Sequence, residues 1–286
     1  MNQRLAAAAA TAAVLTLSLT ACSGSDDDTA LSGSGVTMSH IHGLGLDPSD
    51  QHLYVATHEG VYTPDADGRP TLVGDSRDDF MGFTVAGAKT FFASGHPAAG
   101  DNGPSNKGLI KSTDAGKNWK ALSGVSDFHA LDYVHDTVYG YDATNGLLRT
   151  SKDGSTWHDG ATLDALDITV SPQDPGLVLA TTGEGVARST DGGKTFTAGK
   201  QPVMAFLSWP AKDALYGIDT TGELHLSTDG GGTWKALAAV PGGQPQALTA
   251  VDPKRILAAT QNGVYESKDG GRTFTKRLDV EASCGH

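Results

Sequence analysis

The residues STDAGKNW at 112–119 recur down the chain as SKDGSTW at 151–157, STDGGKTF at 189–196, STDGGGTW at 227–234 and SKDGGRTF at 267–274. Their aspartates, Asp114, Asp153, Asp191, Asp229 and Asp269, fall 39, 38, 38 and 40 residues apart. A degenerate copy, TPDADG at 63–68, lies upstream and lacks the terminal aromatic. Each copy carries the chemistry of a tight hairpin. Asp and Ser side chains satisfy loop backbone groups, Gly supplies a positive φ, and the aromatic packs back on the hairpin. Between copies, short runs such as Leu53–Thr57, Val138–Tyr141 and Ile256–Thr260 read as strands. A repeat of about 40 residues with four short strands is a propeller blade. Counting from His40 predicts an all-β, six-bladed β-propeller over residues 37–286, with the repeated hairpin joining the third and fourth strands of each blade.

Composition agrees. Glycine accounts for 37 of 286 residues, well above the usual ~7%, as many turns between short strands require. With 33 acidic against 21 basic residues and no basic run, nucleic acid is not an expected partner. Two cysteines cannot build a disulfide framework. Neither a phosphate-binding GxxxxGK[ST] loop nor a GxGxxG after a strand occurs.

Residues 1–21 read as an export signal: Arg4, then an apolar stretch from Leu5 to Leu19, then small residues. Leu19-Thr20-Ala21-Cys22 resembles the bacterial lipobox, which implies cleavage before Cys22 and diacylglyceryl modification of its thiol. Residues 22–36 are too poor in apolar side chains to fold and read as a lipidated tether. The expectation is a monomeric head held on the outer side of a bacterial membrane by its lipid.

The innermost strand of each blade can be aligned by its small residue: His42-Gly-Leu, Met81-Gly-Phe, His129-Ala-Leu, Asp164-Ala-Leu, Met204-Ala-Phe and Gln246-Ala-Leu. The first positions are then expected to ring the mouth of the central channel. His40 lies two residues before His42, and His58 and His96 fall in turns on the same face. His52, His135, His158 and His225 fall elsewhere and read as ordinary surface residues. Met38, Met81 and Met204, the methionines beyond the signal, all stand at entries to first strands. Imidazole with thioether suits copper, Cu(I) above all. The expected ligand pool is His40, His42, His58, Met81, His96, His129 and Met204, with Cys284 of the terminal Ser-Cys-Gly-His leading back toward His42. Core packing by the methionines and an inert tail are the plainer alternatives.

The repeated motif resembles the Asp-box (BNR) propellers, which include exo-α-sialidases, sortilin-type domains and the photosystem II assembly propeller. The resemblance spans nearly the whole chain after the signal and implies that the boxes lie on the face away from a functional site. The His40-Ile-His42-Gly-Leu start and Gly95-His96-Pro97 also resemble bacterial lipoproteins grouped with glycosyl hydrolases. A sialidase would need an arginine triad at the mouth, and none of the arginines stands there. Asp79, Asp127 and Asp164 are the carboxylates a glycosidase could use; Asp79 and Asp127, each two residues before a ring member, could equally orient histidines. No GxSxG supports a serine hydrolase. Three functions stay open: a non-catalytic copper-binding lipoprotein, an envelope scaffold for a protein partner, and a glycosyl hydrolase.

Overall fold

A computed structural model describes residues 38–101, 104–124 and 126–280. Cys22, Cys284 and the export and tether segments lie outside these residues. The described residues form 24 strands and no helix. They fall into six consecutive antiparallel four-stranded sheets, spanning residues 41–72, 79–123, 128–162, 168–200, 204–239 and 245–279. Numbered in chain order, the first strands of the sheets are β1 (Ile41–Leu46), β5 (Asp79–Gly87), β9 (Phe128–Val134), β13 (Ile168–Val170), β17 (Met204–Ala211) and β21 (Pro245–Ala250). Each first strand packs beside the next, and β21 returns to β1. The six-bladed propeller is therefore closed.

Among the described residues no strand is exchanged between the first and last blades, and side chains join the two. Met38, Ile41 and Leu44 share one buried cluster with Ala247, Leu257 and Val264. The Ile41 N–H donates to Gln246 Oε1 at 3.1 Å, and Thr249 Oγ1 donates to the Leu44 carbonyl at 2.9 Å. Similar staples recur between other blades. Phe128 N–H donates to Ser94 Oγ, Val170 N–H to Asp132 Oδ2, Leu207 N–H to Asp167 Oδ2 and Ala250 N–H to Ser208 Oγ, all at 2.8–3.1 Å. An innermost strand has one unpaired edge facing its neighbour blade. These staples satisfy N–H groups that would otherwise be buried without partners.

The repeated hairpins join third and fourth strands as expected. In the copy at 189–196, Ser189 Oγ accepts from Gly193 N–H at 2.8 Å and donates to Asp191 Oδ1 at 2.7 Å. Asp191 Oδ1 also accepts from Thr195 N–H at 2.9 Å. The copies starting at Ser112, Ser227 and Ser267 repeat this pattern, and the shortened one at Ser151 closes on Gly154 and Thr156. Hydrogen bonds to the charged form lower these carboxyls, with Asp191 and Asp229 at about 2.

Candidate metal centre

The chain enters β1 and β5 and leaves their partner strands at one face of the propeller, where the central channel opens. That channel has a volume of about 500 Å³ and runs from His42, His129 and Leu166 past Leu44 and Leu131 to Trp209. Its mouth is built on β-bulges. The ladders slip at His42 in β1, Met81 in β5, His129 in β9, Ala205 in β17 and Gln246 in β21. A bulge re-aims the side chain at the extra residue, and here the same device repeats around the axis.

Two expected ring members are corrected. In the fifth blade the bulge residue is Ala205. Met204 is 2% exposed, in a cluster with Leu179, Val186 and Leu215, and its sulphur lies against Gly217 of the second strand. In the fourth blade the link before β13 is longer than the alignment allowed. Asp164 is exposed ahead of the strand, while Leu166, 56% exposed, stands at the mouth. Met38 is core, 1% exposed. Met81 is half-buried two residues after Asp79.

The five histidines expected at the mouth do come together, and two aspartates thread them. His42 Nε2 lies 3.3 Å from His58 Nδ1 and 3.9 Å from Asp79 Oδ1, and His58 Nδ1 lies 3.0 Å from the same oxygen. Asp79 Oδ2 faces His96 Nδ1 at 3.5 Å. His96 Nε2 faces Asp127 Oδ1 at 3.4 Å, and Asp127 Oδ2 meets His129 Nε2 at 3.2 Å. The His40 ring stands 4.8 Å from that of His42 and 5.8 Å from that of His58, with Nδ1 on the Gln246 amide at 3.3 Å. Burial, then the charges of His58, His40 and the other rings, push His42 down to about 3, so it is a neutral donor at ordinary pH.

Local structure holds each group in place. Asp79 and His96 are directly paired across β5 and β6 (Thr90–His96). Gly95 allows this approach, since a Cβ there would lie 1.7 Å from the Asp79 carbonyl oxygen. Beyond His96, Asp78 accepts from Ala98 N–H at 3.1 Å and from Lys107 Nζ at 2.5 Å, pinning both ends of the following loop. Glu59, next to His58, accepts from Ser39 Oγ at 2.5 Å and so ties the His40 segment to the His58 turn. Asp78 and Lys107 were not singled out from sequence; they become visible only through the fold.

Among the described residues, Asp79 Oδ1 and Asp127 Oδ1 are buried without a hydrogen-bond donor, although each faces imidazole nitrogen. Buried carboxylate oxygens are costly when unpartnered. His52 and His158 are exposed, and His135 binds the Ser171 carbonyl at 2.9 Å. His225 departs from the expected surface position: it is buried, with Nε2 3.0 Å from Asp219 Oδ2 and 3.7 Å from Glu223 Oε2. There Asp219 Oδ1 is already engaged by Thr221 and by Glu223 N–H, the signature of a structural turn.

No protein-family model matches the sequence. A xyloglucanase from Paenibacillus sp is 28% identical over 201 residues, covering 60% of this chain and 18% of that protein. Among solved structures, the GH74 enzyme of Niastella koreensis superposes with a TM-score of 0.61 at 19% identity, over 85% of this chain and 46% of that one. YCF48 from Cyanidioschyzon merolae superposes with a TM-score of 0.52 at 14% identity, over 84% and 85%. The chain thus spans under half of the GH74 enzyme and about a fifth of the xyloglucanase. At these identities the likenesses show the β-propeller fold.

Proposed function

We propose that this chain is an exported, lipid-anchored Asp-box propeller that binds a divalent transition metal at its channel mouth without performing catalysis, and that copper is the favoured metal. The observation that carries the reading is the pair of buried, unpartnered Oδ1 atoms of Asp79 and Asp127 facing His42, His58 and His96. With Met38 and Met204 in the core, Met81 is the thioether left at the mouth, and the donors are mainly imidazole and carboxylate. That set moves the favoured state from Cu(I) to Cu(II), which heads the divalent series on nitrogen and oxygen ligands.

The test uses the purified full chain and Cu(II). Copper should survive desalting and raise the unfolding temperature. At a hundredfold excess over Kd the gain is about 2.7 kcal/mol, or roughly 5–10 °C for a domain of this size. His42→Ala with His129→Ala should abolish retention, whereas His52→Ala with His158→Ala should leave it intact. Equal copper retention by the His42/His129 double variant and the wild type refutes the reading, provided both unfold cooperatively without metal.

A glycosyl hydrolase is the second reading, supported by the sequence likeness to a xyloglucanase and by Asp79 and Asp127 flanking one imidazole. Release of reducing ends from xyloglucan, lost in Asp79→Asn and Asp127→Asn, would favour it over the binding role.

A further inference from the structure

The donors at the mouth divide into two groups, and His96 is where they divide. Its Nδ1 faces Asp79 and its Nε2 faces Asp127, so the two carboxylates stand at opposite edges of one ring. The lone pairs of an imidazole diverge, and one ion cannot draw on both. On one side lie His42 Nε2, His58 Nδ1 and Asp79 Oδ1; on the other lie His96 Nε2, Asp127 and His129 Nε2. Resting on the metal-binding reading above, we propose that the mouth holds two divalent transition-metal ions, one per triad, linked through the Asp79–His96 contact.

Spacing supports the first subsite. Its donor separations of 3.3, 3.9 and 3.0 Å bracket the ~3.4 Å edge of a tetrahedron with ~2.1 Å metal–ligand bonds. His40, ring to ring with His42 and His58, is the nearest further imidazole. In the second subsite, Asp127 lies 3.4 Å from His96 and 3.2 Å from His129.

Proton placement supports the second. If His96 Nδ1–H donates to Asp79 Oδ2, a neutral ring has only a lone pair at Nε2. That lone pair faces the unpartnered oxygen Asp127 Oδ1, an opposition relieved by a cation between them. The same hydrogen bond gives Asp79 two tasks. Oδ1 is a ligand of the first ion, and Oδ2 orients and enriches the histidine that holds the second, in the manner of a carboxylate–histidine–metal relay. Asp79 is thus a ligand at one subsite and a positioning residue at the other.

The experiment loads the full chain with Cu(II) alone at pH 7, removes unbound metal by desalting, and measures copper per chain together with the EPR spectrum. Two equivalents are expected, with lines broadened by dipolar coupling between nearby ions. His58→Ala and His129→Ala should each retain one equivalent with sharp, uncoupled lines. Asp79→Asn should lose the first ion and weaken the second by about 10–100-fold, as loss of an orienting carboxylate does. One equivalent in the wild type overturns the two-ion centre while leaving the metal-binding reading in place. No retained copper overturns that reading and this one with it. Two equivalents with one surviving His58→Ala combined with His129→Ala would put the second ion elsewhere, with the Asp219, Glu223 and His225 group the first place to look, and would also overturn the proposal. Where a variant fails to fold, a wild-type count of one, or two equivalents with sharp, uncoupled lines, still overturns the proposal.

Discussion

Asp167 is the staple between the fourth and fifth blades, its Oδ2 accepting from Leu207 N–H at 2.8 Å. Burial in the channel wall, aided by the nearby Asp132 carboxylate, raises it to about 7, against 3.8 for the free group. The folded state therefore holds a proton there that the unfolded chain releases. This contribution is complete below about pH 4 and is lost as pH rises through 7. A shift of about 3 units sets a ceiling near 4 kcal/mol; the side chain keeps some contact with channel water, which reduces it to about 2 kcal/mol. Asp167→Asn supplies a permanently neutral group of the same shape and keeps an oxygen for the Leu207 N–H. At pH 3.5, below the unfolded-state value, the variant should match the wild type within about 0.5 kcal/mol. At pH 8.5 it should be more stable by about 2 kcal/mol, or some 4–8 °C in Tm. Urea unfolding at both pH values, with a chelator present throughout, separates this effect from metal linkage. An unchanged difference between the two pH values, or a less stable variant at pH 8.5, would show that Asp167 is ionised in the folded protein.

Gly193→Ala forces a side chain to φ +85° and brings Cβ within 2.0 Å of Leu148 Cδ2 in the core, so a loss above 2 kcal/mol is expected in thermal melts. Gly68→Ala, at φ +79° with open space around it, should cost about 1 kcal/mol; equal losses would mean that backbone strain alone matters. Lys107→Met leaves Asp78 without its cation and loosens the loop after His96, so Cu(II) affinity should fall several-fold although no ligand is touched; unchanged affinity would remove the loop from the site. Cys22→Ala should shift the chain from the membrane fraction to the soluble fraction or leave an unprocessed precursor, and a wild type lacking an acyl mass on its N-terminal peptide would refute lipidation.

The blade count was legible because each hairpin is a local contract. Ser189, Asp191 and Gly193 satisfy one another within five residues, so the motif survives reading without any knowledge of tertiary structure. The mouth was legible only in part. Strict two-residue alternation aligned His42, Met81, His129 and Gln246 with one another, and the structure places these four at equivalent bulges. It missed Ala205 by one residue and Leu166 by two, because a bulge or a longer link shifts the phase without marking the sequence. The methionines misled for another reason. A thioether at the entry to an inner strand fits both a channel ligand and an interblade core, and burial sends Met38 and Met204 to the core. Asp79 and Asp127 carried the better signal, each two residues before a ring position and each found against histidine nitrogen.

Antiparallel topology separates what holds this molecule together from what its mouth can do. A first strand begins, and a second strand ends, at the same face, so His42, Asp79, His96 and His129 gather there. The repeated hairpins follow the third strands and fall at the opposite face, while the staples lie along the channel between the two. Stability is thus distributed around all six blades, whereas the histidines and aspartates of the mouth come from the first three. The wall continues at the fourth blade with Leu166 and at the fifth with Ala205, neither of which offers a donor. The sixth blade adds Gln246, whose amide meets His40 Nδ1, so the polar groups of the mouth run from the sixth blade through the third and face an apolar stretch at the fourth and fifth. Ligand substitutions at His58 or His129, both outside the buried core, should therefore alter metal binding with little change in the unfolding temperature of the metal-free protein. Staple substitutions such as Asp132→Ala should do the reverse.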